Sequence, residues 1–203
     1  MIERYTLGER IIHWISALTY MYVLATGLAF YSPYLFWIAA ALGGGSTSRY
    51  WHPWIGLLFL ATLVWMIRAW RGDLRITDVD RQWGRSMKHY ARNEDELVPP
   101  SDRYNLGQKY YFWAMVWAGL VLLFSGAILW MPELIPWSWR GLRFASILLH
   151  VAAALVTVGA FMIHVYMGVF AVRGGFSAVV TGQVSANWAK HHHRLWYHRL
   201  GGK

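Results

Sequence analysis

Four histidines lie in or at the ends of long uncharged stretches of this 203-residue chain: His13, His52, His150 and His164. An ionisable side chain in an apolar segment is costly, so each is a candidate for function, and neutral imidazole is a common metal ligand. A polar contact between helices is the alternative for any one of them. On an α-helix, the spacing from His150 to His164 gives about 21 Å of rise and nearly four full turns. These two side chains therefore point to one side of a helix at two depths.

Four predicted membrane spans must position these histidines. Charged residues make up 14% of the chain, against about 25% in soluble proteins, which excludes an ordinary soluble domain. Four segments without Asp, Glu, Lys or Arg can each hold the roughly 20 apolar residues that cross a bilayer core of about 30 Å. We predict an all-α, integral membrane four-helix bundle. The predicted spans cover about 9–31, 51–70, 107–131 and 142–172.

The positive charges predict the orientation of this bundle. Only three of the 19 Lys and Arg residues, Arg49, Arg140 and Arg143, fall in the two connections on one side of the membrane. The positive-inside rule then places both termini and the middle loop in the cytoplasm. The net charge of +9 thus indicates topology and contact with membrane lipids, and we expect no nucleic-acid partner. A short helical segment on the outer side, an amphipathic helix in the cytoplasmic loop and a basic cytoplasmic tail at 173–203 complete the prediction.

This orientation sorts the four histidines into two pairs. His52 and His150 lie near the outer face, whereas His13 and His164 lie near the inner face. A six-coordinate haem iron takes one imidazole from each side, so two pairs at two depths suit two haems. A zinc site would need three or four ligands at one depth. Small residues four positions after each histidine leave room for a planar ligand: Ala17, Gly56, Ala154 and Gly168.

The beginning of the third predicted helix is a second candidate site. One interpretation is that Asn105 serves as the N-cap of this helix and has no other function. A carboxamide, backbone N–H groups and Lys109 at a helix N-terminus would also suit a quinone carbonyl and its developing negative charge.

The chain has no cysteine, which excludes disulfides and iron–sulfur clusters held by its own thiolates. The remaining histidines are interpreted as solvated surface residues: His89, His191, His192, His193 and His198.

Over nearly its whole length the chain resembles the gamma (cytochrome b) subunit of membrane-bound respiratory formate dehydrogenase. The resemblance rests on the four spans, on the sequences around the four histidines, on the helix entry Tyr104-Asn-Leu-Gly-Gln-Lys109 and on the tail Trp188-Ala-Lys-His-His192. The histidine pattern alone would fit a broader group of quinone-linked b-type cytochromes.

The resemblance implies two haem b groups and a site for menaquinone or ubiquinone as substrate. The implied iron ligands are His52 and His150 for the outer haem and His13 and His164 for the inner haem. The implied quinone site lies near the inner haem, around Asn105, Gly107 and Gln108. No catalytic residue for formate oxidation is expected in this chain.

The resemblance also implies partners and a location. An iron–sulfur (beta) subunit on the outer side, linked to a metallopterin catalytic (alpha) subunit, would supply electrons that cross to a quinone on the cytoplasmic side. We therefore expect a multi-pass protein of the bacterial inner membrane that serves anaerobic respiration, with a higher oligomer of the complex left open. Two alternatives stay open: a cytochrome b partner of a hydrogenase or thiosulfate reductase, and a haem-free membrane anchor or metal-ion transporter.

Overall fold

The structure is a computed structural model that describes residues 1–92 and 94–202. Its helices in the first half are α1 (Leu7–Tyr31), α2 (Phe36–Ala41), α3 (Gly45–Trp70), α4 (Asp78–Arg85) and α5 (Met87–Ala91). The second half contains α6 (Leu106–Trp130), α7 (Arg140–Val165), α8 (Gly175–Thr181), α9 (Ala186–His192) and α10 (Arg194–Arg199). Two short strands, β1 (Ile2–Glu3) and β2 (Gln183–Val184), pair antiparallel.

Four helical segments are long and apolar enough to cross a membrane, which confirms the predicted all-α membrane class. A 25-residue helix such as α1 is about 38 Å long, more than a bilayer core requires. The fourth segment combines α7 with the turn before it and a π-helical stretch after it, Tyr166–Ala171. The spanning segments are Leu7–Tyr31, Gly45–Trp70, Leu106–Trp130 and Trp137–Ala171.

Prolines and glycines determine where the spanning helices begin and end. Helix α1 ends at Tyr31, just before Ser32-Pro33, because a proline disfavours helical geometry in the residue before it. Helix α3 begins at Gly45 rather than near Trp51, directly after Gly43 and Gly44, whose positive φ angles of 95° and 98° make the turn.

The early start of α3 corrects one interpretation. With the predicted start near residue 51, Pro53 would stand in the first turn, where its missing N–H costs little, but in the longer helix it lies inside α3. There it cannot donate a hydrogen bond to the carbonyl one turn earlier, and such prolines bend helices. This interruption comes directly after His52.

The chain divides into two compact units, of which the bundle unit comprises Ile12–Trp65 and Ala114–Phe161. Tyr20 of α1 packs against Phe59 of α3 and Phe161 of α7, with ring centroids 5.5 and 5.1 Å apart. At Gly119 of α6, an added Cβ would lie 3.0 Å from a methyl group of Leu60. A side chain here would force Leu60 to shift, so the glycine favours this close approach of α6 to α3.

The terminal unit comprises Met1–Ile11, Met66–Trp113 and Met162–Lys203. The strand pair aligns Ile2 with Val184, which joins the N-terminus to the tail. A small apolar core forms around Trp196 and Val184, and Ile2 packs against it. The tail is thus folded onto the beginning of the chain rather than spread as a solvated segment.

The loop between α3 and α6 contains two short helices, α4 and α5, where a single amphipathic helix was predicted. Helix α4 is amphipathic, because it buries Asp80 and Trp83 and exposes most of its other side chains. Thr77 caps it: its hydroxyl accepts from the Asp80 N–H while the Asp80 carboxylate accepts from the Thr77 N–H. This reciprocal capping fixes where α4 begins.

Candidate haem and quinone sites

The bundle unit brings His52 of α3 and His150 of α7 together, with ring centroids 6.4 Å apart and ring planes at 54°. Two imidazoles that bind one metal ion from opposite sides, with bonds of about 2.0 Å, have ring centres about 6 Å apart. The spacing of this pair therefore fits the two axial ligands of one haem iron.

Each of these imidazoles lies against a glycine of a neighbouring helix. An added Cβ at Gly27 of α1 would be 3.6 Å from Cε1 of His52. At Gly126 of α6 it would be 3.1 Å from Cε1 of His150. Because Gly126 has no side chain, the His150 ring can lie close to the backbone of α6. The 3.6 Å at Gly27 is an ordinary van der Waals distance, so an alanine would also fit beside His52. The residue before each glycine bears a hydroxyl that contacts the same ring: Thr26 for His52 at 2.7 Å and Ser125 for His150 at 3.0 Å.

The other two histidines lie in different units. His13 belongs to the bundle unit, where its ring meets Trp14 edge-on at 5.6 Å. His164 belongs to the terminal unit, where its ring stacks on Tyr111 at 4.2 Å with the planes 6° apart. The π-helical turn Tyr166–Ala171 follows His164 closely, and such turns are frequent at functional sites. The pairing of His13 with His164 stays a prediction.

The two glycines among the small residues four positions after the histidines, Gly56 and Gly168, lie beside open or loosely filled space. An added Cβ at Gly168 meets nothing within 4 Å, and at Gly56 it meets only Val23 at 3.9 Å. The glycines that contact imidazoles, Gly27 and Gly126, lie on other helices. The sequence analysis missed these glycines. Their one shared feature in the sequence is a hydroxyl residue directly before the glycine, in Thr26-Gly27 and Ser125-Gly126.

The N-terminus of α6 carries the predicted quinone residues. The Gln108 N–H donates to Oδ1 of Asn105 over 2.9 Å, and the Asn105 N–H donates to Oε1 of Gln108 over 3.0 Å. Asn105 is thus an N-cap, as its alternative interpretation predicted. Asn105 is buried, while Gly107 and Gln108 are exposed at the helix end. The residues therefore combine a capping function with a surface that a ligand can reach.

The side chain of Lys109 is engaged within the protein. Its ammonium donates to Oδ2 of Asp80 over 2.6 Å and to the carbonyl of Arg75 over 2.9 Å. Burial raises the pKa of Asp80, but hydrogen bonds from Lys109 and Thr77 outweigh it and leave that pKa below its usual value. Lys109 therefore holds α6 to α4, which corrects the interpretation of its ammonium as a direct partner of a quinone carbonyl.

His193, interpreted from the sequence as solvated, is only 2% exposed. Its Nδ1 lies 2.6 Å from the Asp102 carbonyl and its Nε2 lies 3.1 Å from the Arg4 guanidinium. Burial, with Arg4 alongside, lowers the pKa of His193 well below its usual value, so the ring is neutral. Arg4 also lies over the rings of Trp188 and Trp196, at 4.9 and 5.2 Å. This Arg4–His193 contact ties the N-terminus, the segment before α6 and the tail together.

Within residues 1–92 and 94–202, no group of three or more His, Asp, Glu or Cys residues is placed to hold a metal ion. The histidine-rich tail segment His191 to His193 therefore forms no such cluster. A pair of imidazoles such as His52 and His150 needs further ligands to complete a metal's coordination, and a porphyrin supplies four.

Comparison with known proteins identifies the family. The model of the prokaryotic cytochrome b561 family matches residues 4–182. The cytochrome b556(fdo) subunit of formate dehydrogenase from Escherichia coli K12 is 36% identical over 201 residues, which cover 98% of this chain and 93% of that protein. The nitrate-inducible cytochrome b556(Fdn) subunit of the same strain is 30% identical and covers 98% and 92%. The formate dehydrogenase cytochrome b556 subunit of Haemophilus influenzae is 31% identical and covers 97% and 82%. This chain therefore belongs to the prokaryotic cytochrome b561 family, as a multi-pass cytochrome b of the bacterial inner membrane.

Proposed function

We propose that this chain is the membrane subunit of a respiratory formate dehydrogenase, in which it binds two b haems and reduces quinone. The facing pair of His52 and His150, 6.4 Å apart, is the observation that carries the proposal. The names of the relatives, which match over nearly the whole chain, supply formate as the electron source. When bound, the haems supply one-electron carriers at two depths of the membrane.

The chain's own residues have distinct tasks in this proposal. His52 and His150 hold the outer haem and His13 and His164 hold the inner haem. The four imidazoles lie on α1, α3 and α7. Because the chain has no cysteine, its electrons come from an iron–sulfur subunit on the outer side, which receives them from a metallopterin subunit. Their transfer to the cytoplasmic side moves charge across the membrane.

The N-terminus of α6 is the proposed quinone site. The side-chain amide N–H groups of Asn105 and Gln108 and the backbone N–H of Gly107 can donate hydrogen bonds to a quinone oxygen, because the cap uses only the amide oxygens of the two side chains. The helix dipole favours the negative charge that develops on this oxygen as the quinone is reduced. The buried ion pair between Lys109 and Asp80 holds this end of α6 to α4. Protons for the reduced quinone come from the cytoplasmic side.

The experiment that tests this function measures quinone reduction by membranes that contain the complete complex. We expect formate, but not hydrogen, to drive reduction of a soluble quinone analogue through this chain. We also expect thiosulfate not to oxidise the reduced quinone analogue, as it would if the partner were a thiosulfate reductase. Reduction driven by hydrogen instead of formate would assign the chain to a hydrogenase. Activity in the absence of haem would contradict the proposal as a whole.

Replacement of single ligands tests the proposed pairs. We expect His52→Ala or His150→Ala to remove one haem and leave binding of a quinone-site inhibitor largely intact. We expect His13→Ala or His164→Ala to remove the other haem and also to weaken inhibitor binding. Loss of the same haem from all four variants, with inhibitor binding unchanged, would refute the pairing.

A further inference from the structure

Both imidazoles of the facing pair contact a buried hydroxyl on another helix. Oγ1 of Thr26 lies 2.7 Å from Nδ1 of His52, and Oγ of Ser125 lies 3.0 Å from Nδ1 of His150. Thr26 is 0% exposed and Ser125 is 4% exposed. Within the bundle unit, the two histidines thus have the same kind of partner on the same ring atom.

The backbone decides the direction of these hydrogen bonds. A hydroxyl has one proton, and a carbonyl can only accept. Oγ1 of Thr26 donates to the carbonyl of Tyr22 over 2.8 Å, and Oγ of Ser125 donates to the carbonyl of Val121 over 2.6 Å. With its proton used in this way, each hydroxyl accepts a hydrogen bond from the imidazole. Nδ1 therefore carries the proton, and the lone pair of each imidazole is at Nε2.

From this geometry we infer that Thr26 and Ser125 are positioning residues, which fix the Nδ1–H tautomer of His52 and His150 and set how strongly each imidazole donates electrons to a haem iron. The inference rests on the proposed haem binding by these two histidines. Partners of this kind orient metal-binding imidazoles and raise their basicity. A neutral hydroxyl is a weaker acceptor than a carboxylate, so the imidazole stays neutral and only moderately basic.

The glycine after Ser125 supports the inference at His150. An added Cβ at Gly126 would lie 3.1 Å from the His150 ring, closer than an ordinary contact, so the glycine leaves space for this ring beside its hydroxyl. An added Cβ at Gly27 would lie 3.6 Å from the His52 ring, an ordinary van der Waals distance. The dipeptides Thr26-Gly27 in α1 and Ser125-Gly126 in α6 each place a hydroxyl against one imidazole.

The test compares variants of the full chain, isolated with its complex in detergent. Thr26→Val and Ser125→Ala each remove the hydroxyl that accepts from an imidazole, whereas Thr26→Ser keeps a hydroxyl beside His52. Thr62→Val is the matched control, because Thr62 is also a buried threonine whose hydroxyl donates to a backbone carbonyl of its own helix, that of Phe59. Haem content, the midpoint potentials of the haems and the low-spin ferric EPR spectrum are measured for each variant.

We expect Thr26→Val and Ser125→Ala each to shift the potential of the same haem upward and to change its EPR g values, because a less basic imidazole stabilises ferric iron less. We also expect these two variants to bind haem more weakly, by about tenfold or more, for the same reason. Thr26→Ser and Thr62→Val should retain wild-type values. Unchanged potentials and haem content in Thr26→Val and Ser125→Ala would overturn the inference, as would a change in Thr62→Val of equal size.

The proposed function fails in a different way from this inference. If haem binding by these histidines is wrong, His52→Ala keeps the full haem content of the wild type. If only the role of the hydroxyls is wrong, His52→Ala loses one haem while Thr26→Val and Ser125→Ala behave as the wild type.

Discussion

Removal of the Lys109 ammonium should release the loop that contains α4 from the N-terminus of α6. The ammonium lies 2.6 Å from the Asp80 carboxylate, and the two side chains are 3% and 9% exposed. Loss of one partner of a buried pair costs about 3–5 kcal/mol, because the other charge stays buried. We expect about 3 kcal/mol here, the lower end of that range, because Thr77 still donates two hydrogen bonds to Asp80.

This cost corresponds to an increase of about 100-fold in the open population of the loop, at 1.4 kcal/mol for each factor of ten. Limited trypsin digestion in detergent measures that population, because cleavage of a transiently opened segment follows its equilibrium when reclosing is fast. Cleavage at Arg75 and Arg85 should therefore accelerate by about this factor in Lys109→Met.

Asp78→Asn is the control for this prediction. It removes the ion pair between Arg81 and Asp78, whose side chains are 70% and 86% exposed, and should change cleavage by no more than about fivefold, since exposed pairs contribute at most about 1 kcal/mol. The double variant Lys109→Met/Asp80→Asn should be cleaved more slowly than the two single effects together predict. Wild-type cleavage of Lys109→Met, or strictly additive effects in the double variant, would refute the reasoning.

Two further predictions concern single contacts. Gly126→Ala should change the EPR spectrum and the midpoint potential of one haem, because its Cβ would lie 3.1 Å from the His150 ring. Gly27→Ala should change neither, because its Cβ would lie 3.6 Å from the His52 ring. Equal effects of the two variants would contradict this prediction. The folded terminal unit requires neutral His193, whose pKa is well below its usual value, while the unfolded chain takes up a proton near pH 6.5. Its stability should therefore be constant above about pH 6.5 and decrease as the pH falls below it, as tryptic cleavage of the tail would report. In His193→Gln, cleavage should be faster at neutral pH and depend less on pH, and an unchanged pH dependence would contradict the role of this ring.

The spanning helices could be predicted from the sequence because their signals are local. Long uncharged segments must cross the membrane or be buried in the protein. A proline disfavours helical geometry in the residue before it, which explains why α1 ends ahead of Pro33. The predicted start of α3, near residue 51, was wrong because Gly45 and the small polar residues after it are typical of a turn. The real turn needs only Gly43 and Gly44, whose positive φ angles are not visible in the residue pattern.

The chemistry of the sites depended on contacts between distant residues. The sequence indicated that His52 and His150 form a pair, because orientation alone places both near one face. It did not indicate the hydroxyls that hold them, because Thr26 and Ser125 are common residues in membrane helices. His193 and Lys109 were misinterpreted for the same reason: their partners, Arg4 and Asp80, come from remote parts of the chain.

The haem content of the isolated full-length chain tests the central claim most directly. A pyridine haemochromogen assay counts haem b per polypeptide, and a dithionite-minus-air difference spectrum shows whether it is redox-active. The account predicts two b haems per chain in the wild type and one in His52→Ala. No haem b in a folded wild-type sample, or an unchanged count in His52→Ala, would contradict it.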